Sequence, residues 1–467
     1  MSHTAHQTGQ PPAAVPDARR WRVLVLLCLA QFMVILDVTV VNVALPRMAA
    51  DLGLDRAALT WVVTAYTLCF GGLMMLGGRL ADLLGRRRTF LAGLLLFTTA
   101  SLAAGLAGDD MTLVLARAAQ GVGAALLSPA ALSILTTTFH GPDRHRALGV
   151  WAALGGGGAA AGVLVGGLLV SGPGWQWVFF VNVPIGLLVA VLVPITVAAA
   201  PRHPGRLDLP GALLVTAASG ALIYGLVQAS WPVAAVGFLL YAGFALVERS
   251  VPAPLVRLRL LAQRPMLAGI AAMLVASALL ISGFFLCSLV LQQVLGRSAL
   301  ETGLVFLPVA VATVAGAHLA GRLIGRYGPR PLAAAGFALA ALGFGLLTRV
   351  DAGAPAWTGV LPGFVLVAAG LGAGFVTATS TALTRVDADH AGMASGAVNT
   401  AHELGAALGV AVVSAIAGAS IDAGSAIGGF TDAFWACGLA AVVAAAALPA
   451  LLPGGPPPAT DGPVFAH

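Results

Sequence analysis

Apolar runs about twenty residues long recur from one end of this chain to the other, and nothing else constrains its fold as strongly. A helix that crosses a bilayer needs about 20 mainly apolar residues to span the hydrocarbon core. Runs of that kind begin near Trp21, Leu59, Thr89, Met111, Ala147, Trp177, Gly211, Val233, Met266, Gly303, Leu332, Trp357, Ala394 and Phe430. They predict an all-α integral membrane protein with about fourteen transmembrane helices. The eighth run, from Val233 to Val247, is the shortest. Composition excludes a soluble enzyme. Of 467 residues, 59% are hydrophobic and 9% are charged, where a soluble domain carries about 25% charged residues. So little polar surface cannot cover a water-soluble particle, so lipid is the solvent. The 59 glycines and 27 prolines are scattered through the apolar runs, where neighbouring helices satisfy the backbone groups they free.

Every basic residue is an arginine, and arginine placement orients the chain, because short cytoplasmic loops collect basic residues. With the N-terminus inside, the cytoplasmic side receives Arg19, Arg20, Arg22, Arg86 to Arg88, Arg144, Arg146, Arg202, Arg206, Arg249, Arg257, Arg259, Arg264, Arg322, Arg326, Arg330 and Arg385. The other side receives Arg47, Arg56, Arg297 and Arg349. One mis-split helix would invert every later loop and scramble this bias. An even count with both termini cytoplasmic, in the inner (plasma) membrane, is therefore expected. The formal charge of +6 sits in these short clusters, which disfavours nucleic acid as a partner. Cys28, Cys69, Cys287 and Cys437 lie in apolar runs without metal-ligand spacing and read as small buried hydrophobes. No metal and no cofactor is expected. The Pro-rich stretch 1–20 shows no apolar region ending in a cleavage site and reads as a disordered tail, as does 453–467.

An internal repeat divides the rest. Gly78-Arg79-Leu80-Ala81-Asp82-Leu83-Leu84-Gly85-Arg86-Arg87 follows the second run, and Gly321-Arg322-Leu323-Ile324-Gly325-Arg326-Tyr327-Gly328-Pro329-Arg330 follows the tenth. Both read G-R-L-x-x-x-x-G-x-R. If each closes the second helix of a half, the six-helix halves are 21–200 and 265–452, with an inserted helix pair and its loops over 201–264. Two related halves around a central cavity are a recurrent transporter plan.

Five ordered motifs complete the pattern. Leu36-Asp37-Val38-Thr39-Val40-Val41-Asn42-Val43-Ala44-Leu45-Pro46 matches L-D-x-T-x-V-N-x-A-L-P, and Gly78 to Arg88 matches G-x-L-A-D-x-x-G-R-[RK]-[RK]. Arg117 to Ala125 matches R-x-x-Q-G-x-G-A-A, Trp175 to Gly186 is close to W-R-W-x-F-x-x-N-x-P-x-G, and Gly392 to Gly409 is close to G-x-A-S-G-x-x-N-T with its glycine spacing. On these residues the sequence resembles the major facilitator superfamily, in its fourteen-span drug:proton antiporter branch, over nearly the whole chain. Two positions depart from the pattern. Val163 follows Gly162 where the antiporter motif has proline, although Gly158, Gly162 and Gly166 are kept; Gln176 replaces an arginine. The resemblance implies a proton-coupled exporter of small hydrophobic or cationic compounds, such as antibiotics, working by alternating access as a monomer in the lipid bilayer. Val163 keeps proton-coupled uptake of a small metabolite open as the alternative. A membrane enzyme would need polar residues clustered at one face, which the sequence lacks.

An ionisable side chain at the bilayer centre costs about 2.5–3.5 kcal/mol on insertion scales, so each such residue needs a reason. The candidates are Asp37, Arg117, His318, His402 and Glu403. Desolvation disfavours the charged form of Asp37, which can then bind a proton or exchange it for a cation. Glu403 falls near the middle of the thirteenth run, which corresponds to the fifth if the halves are repeats, and so at the interface of the halves. Many members of the family carry glutamine there. Arg117 keeps its charge and can neutralise a carboxylate. His402 points about 100° around the helix from Glu403, and His318 reads as a hydrogen-bonded packing residue. The resemblance assigns gating to the loop holding Gly78, Asp82, Gly85 and Arg86; the second copy has Gly325 in place of Asp82, so a charge latch is expected in the first half only. Thr39, Asn42, Gln120 and Asn399 are the polar candidates for a cavity lining. The run Gly155 to Gly158 has no following lysine and lies in an apolar span. It is read as a site of tight helix crossing rather than a phosphate cradle, so energy must come from a gradient.

Overall fold

The polar residue just ahead of an apolar run decides where several helices start. Asp55 accepts the Ala58 amide at 2.7 Å and Asp109 accepts the Thr112 amide at 2.8 Å, each satisfying a donor that a helix N-terminus leaves free. Ser298 and Glu301 form a capping box. Helices consequently begin a few residues before the apolar runs do. This is a computed structural model, and it describes residues 17–139, 164–197, 208–228, 230–251, 261–351, 355–384, 391–418 and 427–455, with isolated positions between them.

The described residues are helical throughout, without a strand. The first half holds α1 (Asp17–Leu52), α2 (Arg56–Leu84), α3 (Arg86–Gly105), α4 (Asp110–Thr138), α5 (residues 164–171) and α6 (Asn182–Thr196), the last entered through the helical turn Trp177–Phe180. Then come α7 (Leu209–Val227) and α8 (Trp231–Ser250). The second half holds α9 (Arg264–Leu289, continued by the π-helical turn Val290–Val294), α10 (Ala299–Tyr327), α11 (Pro329–Leu347), α12 (Leu361–Leu383, preceded by the π-helical turn Ala356–Val360), α13 (Ala391–Ile416) and α14 (Gly428–Leu451). Eleven of the described helices are long and apolar enough to cross a membrane. The eighth, the shortest run in the sequence, is a full 20-residue helix. α5, α7 and α13 are not among the eleven; α5 is described only in part, and the described apolar stretch of α7 is Leu213–Gly225. Arg144, Arg146, Arg202, Arg206, Arg257, Arg259, Arg385, Val163, Gly155 to Gly157 and most of both expected tails lie outside the described residues.

The main packing relations of the first half recur eight helices later. α4 packs on α2 and α3, α3 on α6, and α1 on α4 and α6; α12 packs on α10 and α11, α11 on α14, and α9 on α12 and α14. Gly158, Gly162 and Gly166 press α5 and the positions before it against Ile35, Thr39 and Val40 of α1, as α13 packs on α9. The sequence repeat shows the same relation in detail. Gly85 (φ 95°) separates α2 from α3, and Gly328 (φ 78°) separates α10 from α11; both conformations favour glycine. Two residues on, Arg87 donates to the Val197 carbonyl at 3.0 Å, and Arg330 to the Leu452 carbonyl at 2.6 Å. Each arginine thus holds the last carbonyls of its half's sixth helix, where the helix dipole favours a cation.

The end of the bundle where α1 starts is here the near end, and the opposite end the far end. The halves meet where α2 packs on α13, α1 on α9, and Gly167 of α5 on Leu300 of α10. The inserted pair lies to one side: α7 packs on α8, on α2 and on α13. Leu68 of α2, Ile223 of α7 and Leu404, Ala407 and Ala411 of α13 form one apolar cluster. Stripes at helical spacing, such as Leu187, Val191 and Ile195 on α6 or Trp435, Leu439 and Val443 on α14, stay exposed, as lipid-facing surface does.

Candidate functional site

Three residues read from the sequence, Asp37, Arg117 and Gln120, meet in a closed ring inside the first half. α1 supplies Asp37 and α4 supplies Arg117 and Gln120, one helical turn apart. Arg117 Nη1 donates to Asp37 Oδ2 at 2.5 Å and to Gln120 Oε1 at 2.9 Å, and Gln120 Nε2 donates to Asp37 Oδ1 at 2.9 Å. Asn182 of α6 adds a bond to Asp37 Oδ1 at 3.1 Å, and Gln120 also donates to Ser101 of α3 at 2.9 Å. Arg117 Nε donates to the Val62 carbonyl of α2 at 2.9 Å, while the guanidinium lies 4.4 Å from the centre of the Tyr66 ring. The Asp37 and Arg117 side chains are 0% and 2% exposed. Each charge is thus neutralised by the other and its remaining hydrogen-bonding capacity largely filled, the condition under which a buried ion pair is tolerated. Five helices are tied together at one point.

Glu403 stands apart from this ring. It is buried on α13, where the helix meets α2, and a Cβ added at Gly71 would run into its side chain. Close by, Thr400 donates to the Gly71 carbonyl at 3.1 Å. Glu403 makes no hydrogen bond or ion pair with a described residue. A carboxylate left uncompensated in such a place is costly. His402 points elsewhere, its ring centroid 5.4 Å from that of Phe375 on α12. His318 is exposed on α10.

The remaining candidates disperse. Thr39 donates to the Ile35 and Leu36 carbonyls of its own helix and faces Gly162. Asn42 is buried and donates to Val38, its Oδ1 unpaired, while Asn399 is exposed. In the loop motif, Gly78 approaches Pro129 of α4, and Arg86 reaches the Ser133 carbonyl of α4 at 3.5 Å. Asp82 lies within α2, and its side chain lies outside the described residues. Ser101, Asn182 and Tyr66 were not singled out from the sequence. Asn182 had a signal, as the asparagine of the motif that opens the sixth span; the other two, uncharged and outside any motif, had none.

The profile of the Major Facilitator Superfamily matches residues 27–410. A puromycin resistance protein of Streptomyces alboniger, pur8, is 42% identical over 86% of this chain and 82% of its own. The cephamycin export protein CmcT of Amycolatopsis lactamdurans is 40% identical over 93% of both chains, and a lincomycin resistance protein of Streptomyces lincolnensis 38% identical over 96% and 95%. Among solved structures, an auto-inhibited POT family peptide transporter matches with a TM-score of 0.72 at 15% identity, covering 97% of this chain and all of that one. A bacterial homologue of the lysosomal transporter Spinster matches at 0.67 and 17%, over 94% and 98%; these two show the fold alone. A profile that spans most of the chain, relatives at this identity over most of their length and two pseudo-repeated helical halves agree: the chain is a multi-pass membrane transporter and belongs to the Major Facilitator Superfamily.

Proposed function

We propose that this chain exports small drug-like compounds, antibiotics among them, in exchange for protons, by alternating access in the plasma membrane with both termini cytoplasmic. The observation that carries the reading is the set of relatives matched over most of their length, which are named for resistance to puromycin and lincomycin and for export of cephamycin. The geometry supports the coupling. Glu403 is a buried carboxyl without a partner among the described residues, at the contact between halves, the place where access changes when the halves move. It takes the proton. Asp37, held by Arg117, Gln120 and Asn182, fixes α1 to α4 and α6, so that the first half moves as a unit. Thr39, Asn42 and Asn399 contribute polar groups to the substrate path. Gly78, Asp82, Gly85 and Arg86 act as the gate at the junction of α2 with α3, and 21–200, 201–264 and 265–452 serve as first half, inserted pair and second half.

Expression in an antibiotic-sensitive host tests the reading, with puromycin, lincomycin and a cephamycin as probes. Resistance to at least one should rise several-fold and fall back when a protonophore collapses the proton gradient. A host whose sensitivity to all three is unchanged, or whose resistance survives the protonophore, contradicts it.

A further inference from the structure

The hydrogen bonds that join the two halves through described residues are unevenly placed. Thr400 to Gly71 lies at mid-depth. The others lie at the far end: Thr60 and Ser414 share a bond of 2.5 Å, Arg56 reaches the Ser414 carbonyl at 3.5 Å, and the Leu300 amide donates to Ser171 at 3.1 Å. Two further bonds join α1 to α9. Ser288, fully buried, donates to the Asn42 carbonyl at 2.5 Å, and Gln292 donates to the Val43 carbonyl at 3.0 Å and to Ser288 Oγ at 3.1 Å.

Those two carbonyls belong to a helix interior, where carbonyls are normally taken by the amide four residues on. The amide that would take Asn42 is at position 46, and position 46 is proline, inside α1. Proline has no N–H to give, and its ring crowds the carbonyl four residues back, turning it out of the ladder. Asn42 therefore offers a buried acceptor that α1 cannot satisfy itself, and leaving it unmet is expensive. Ser288 meets it from the other half. Gln292, four residues on from Ser288, lies in the π-helical turn Val290–Val294, and such turns often re-aim side chains at functional sites.

We propose that Pro46, Ser288 and Gln292 form a latch that holds the far end of the transporter closed, Pro46 freeing the acceptor on α1 and α9 supplying the donors. Opening the far end breaks the Ser288 bond and exposes the Asn42 carbonyl to water, which can replace it; closing restores it. The latch is thus reversible and needs no charge. This rests on the alternating-access reading above, in which the far end must open to release substrate.

The test measures far-end separation in the full chain in lipid nanodiscs, with no substrate present. Spin labels are placed at Met111→Cys and Trp357→Cys, both exposed at the far end of opposite halves, after the four natural cysteines are replaced by alanine. Ser288→Ala should raise the far-end-open population about fivefold, the effect of one neutral hydrogen bond. Pro46→Ala, which gives Asn42 a partner within α1, should shift it to a similar extent. The double variant should shift no further than either alone, because both remove the same bond. Ser288→Thr, which keeps the hydroxyl, should match the parent. A distance distribution unchanged by Ser288→Ala, or shifts that multiply in the double variant, overturns the latch. Because the distances are read without transport, a chain that shows these shifts yet confers no resistance leaves the latch standing and removes the export reading alone.

Discussion

Asp37 and Arg117 were each legible as intramembrane charges, since an ionisable residue inside an apolar run stands out in any sequence. Their partnership was not, because 80 residues separate them and only the packing of α1 on α4 joins them. Ser101 and Asn182 were harder still: an uncharged polar residue inside a span costs too little to mark it. The pairing changes what Asp37 is expected to do. Read alone, it is a carboxyl poised to bind a proton; in the fold it is one member of an ion pair that five helices share. Asp37→Asn leaves the Arg117 guanidinium buried without a counter-charge, which should destabilise the protein by about 3–5 kcal/mol. Adding Arg117→Met removes that stranded charge and should recover most of the stability without recovering efflux. Thermal unfolding of the purified variants checks this, and an Asp37→Asn variant as stable as the wild type would show that the pair contributes nothing structural.

Helices were legible as elements, and their starts were displaced for a physical reason. An apolar run marks what lipid covers, whereas a helix starts at its cap, and caps are polar; Asp55, Asp109 and Ser298 each lie a few residues outside the run they open. The sequence predicts the inserted pair as two extra helices, and α7 and α8 are both helical. That α7 would lie along the contact of α2 with α13 was not legible, since sequence period says which face is apolar and not which helices it meets. At the far end of α4, the backbone and side-chain hydrogen bonds from Thr112 hold the Asp109 carboxyl below its ordinary value of 3.8. A carboxyl lowered on folding adds stability above its unfolded value and loses it as the pH falls through its folded one. Hydrogen exchange at the Thr112 amide, corrected for its intrinsic rate, should therefore quicken as the pH falls below 3.8. Asp109→Asn, a good cap that does not titrate, should remove that pH dependence while leaving protection at neutral pH.

Across the whole molecule, the repeated G-R-L-x-x-x-x-G-x-R loop announced two related halves, and the matching arginine clamps at Arg87 and Arg330 are its structural expression. The two halves are alike in scaffold and unlike in charge. Among the described residues the buried ion pair lies in the first half, while the second contributes Glu403 at the contact between them. In the proposed exchange, the first half carries the ion pair and Glu403 of the second gains and loses the proton as the contact between them opens. Drug-induced proton release from purified protein in detergent, followed between about pH 5 and 9 to bracket buried carboxyls, tests this most directly. The wild type should release protons when an exported antibiotic is added, and Glu403→Gln, which keeps the shape and loses the titrating group, should release none. Release by Glu403→Gln equal to that of the wild type would contradict the account.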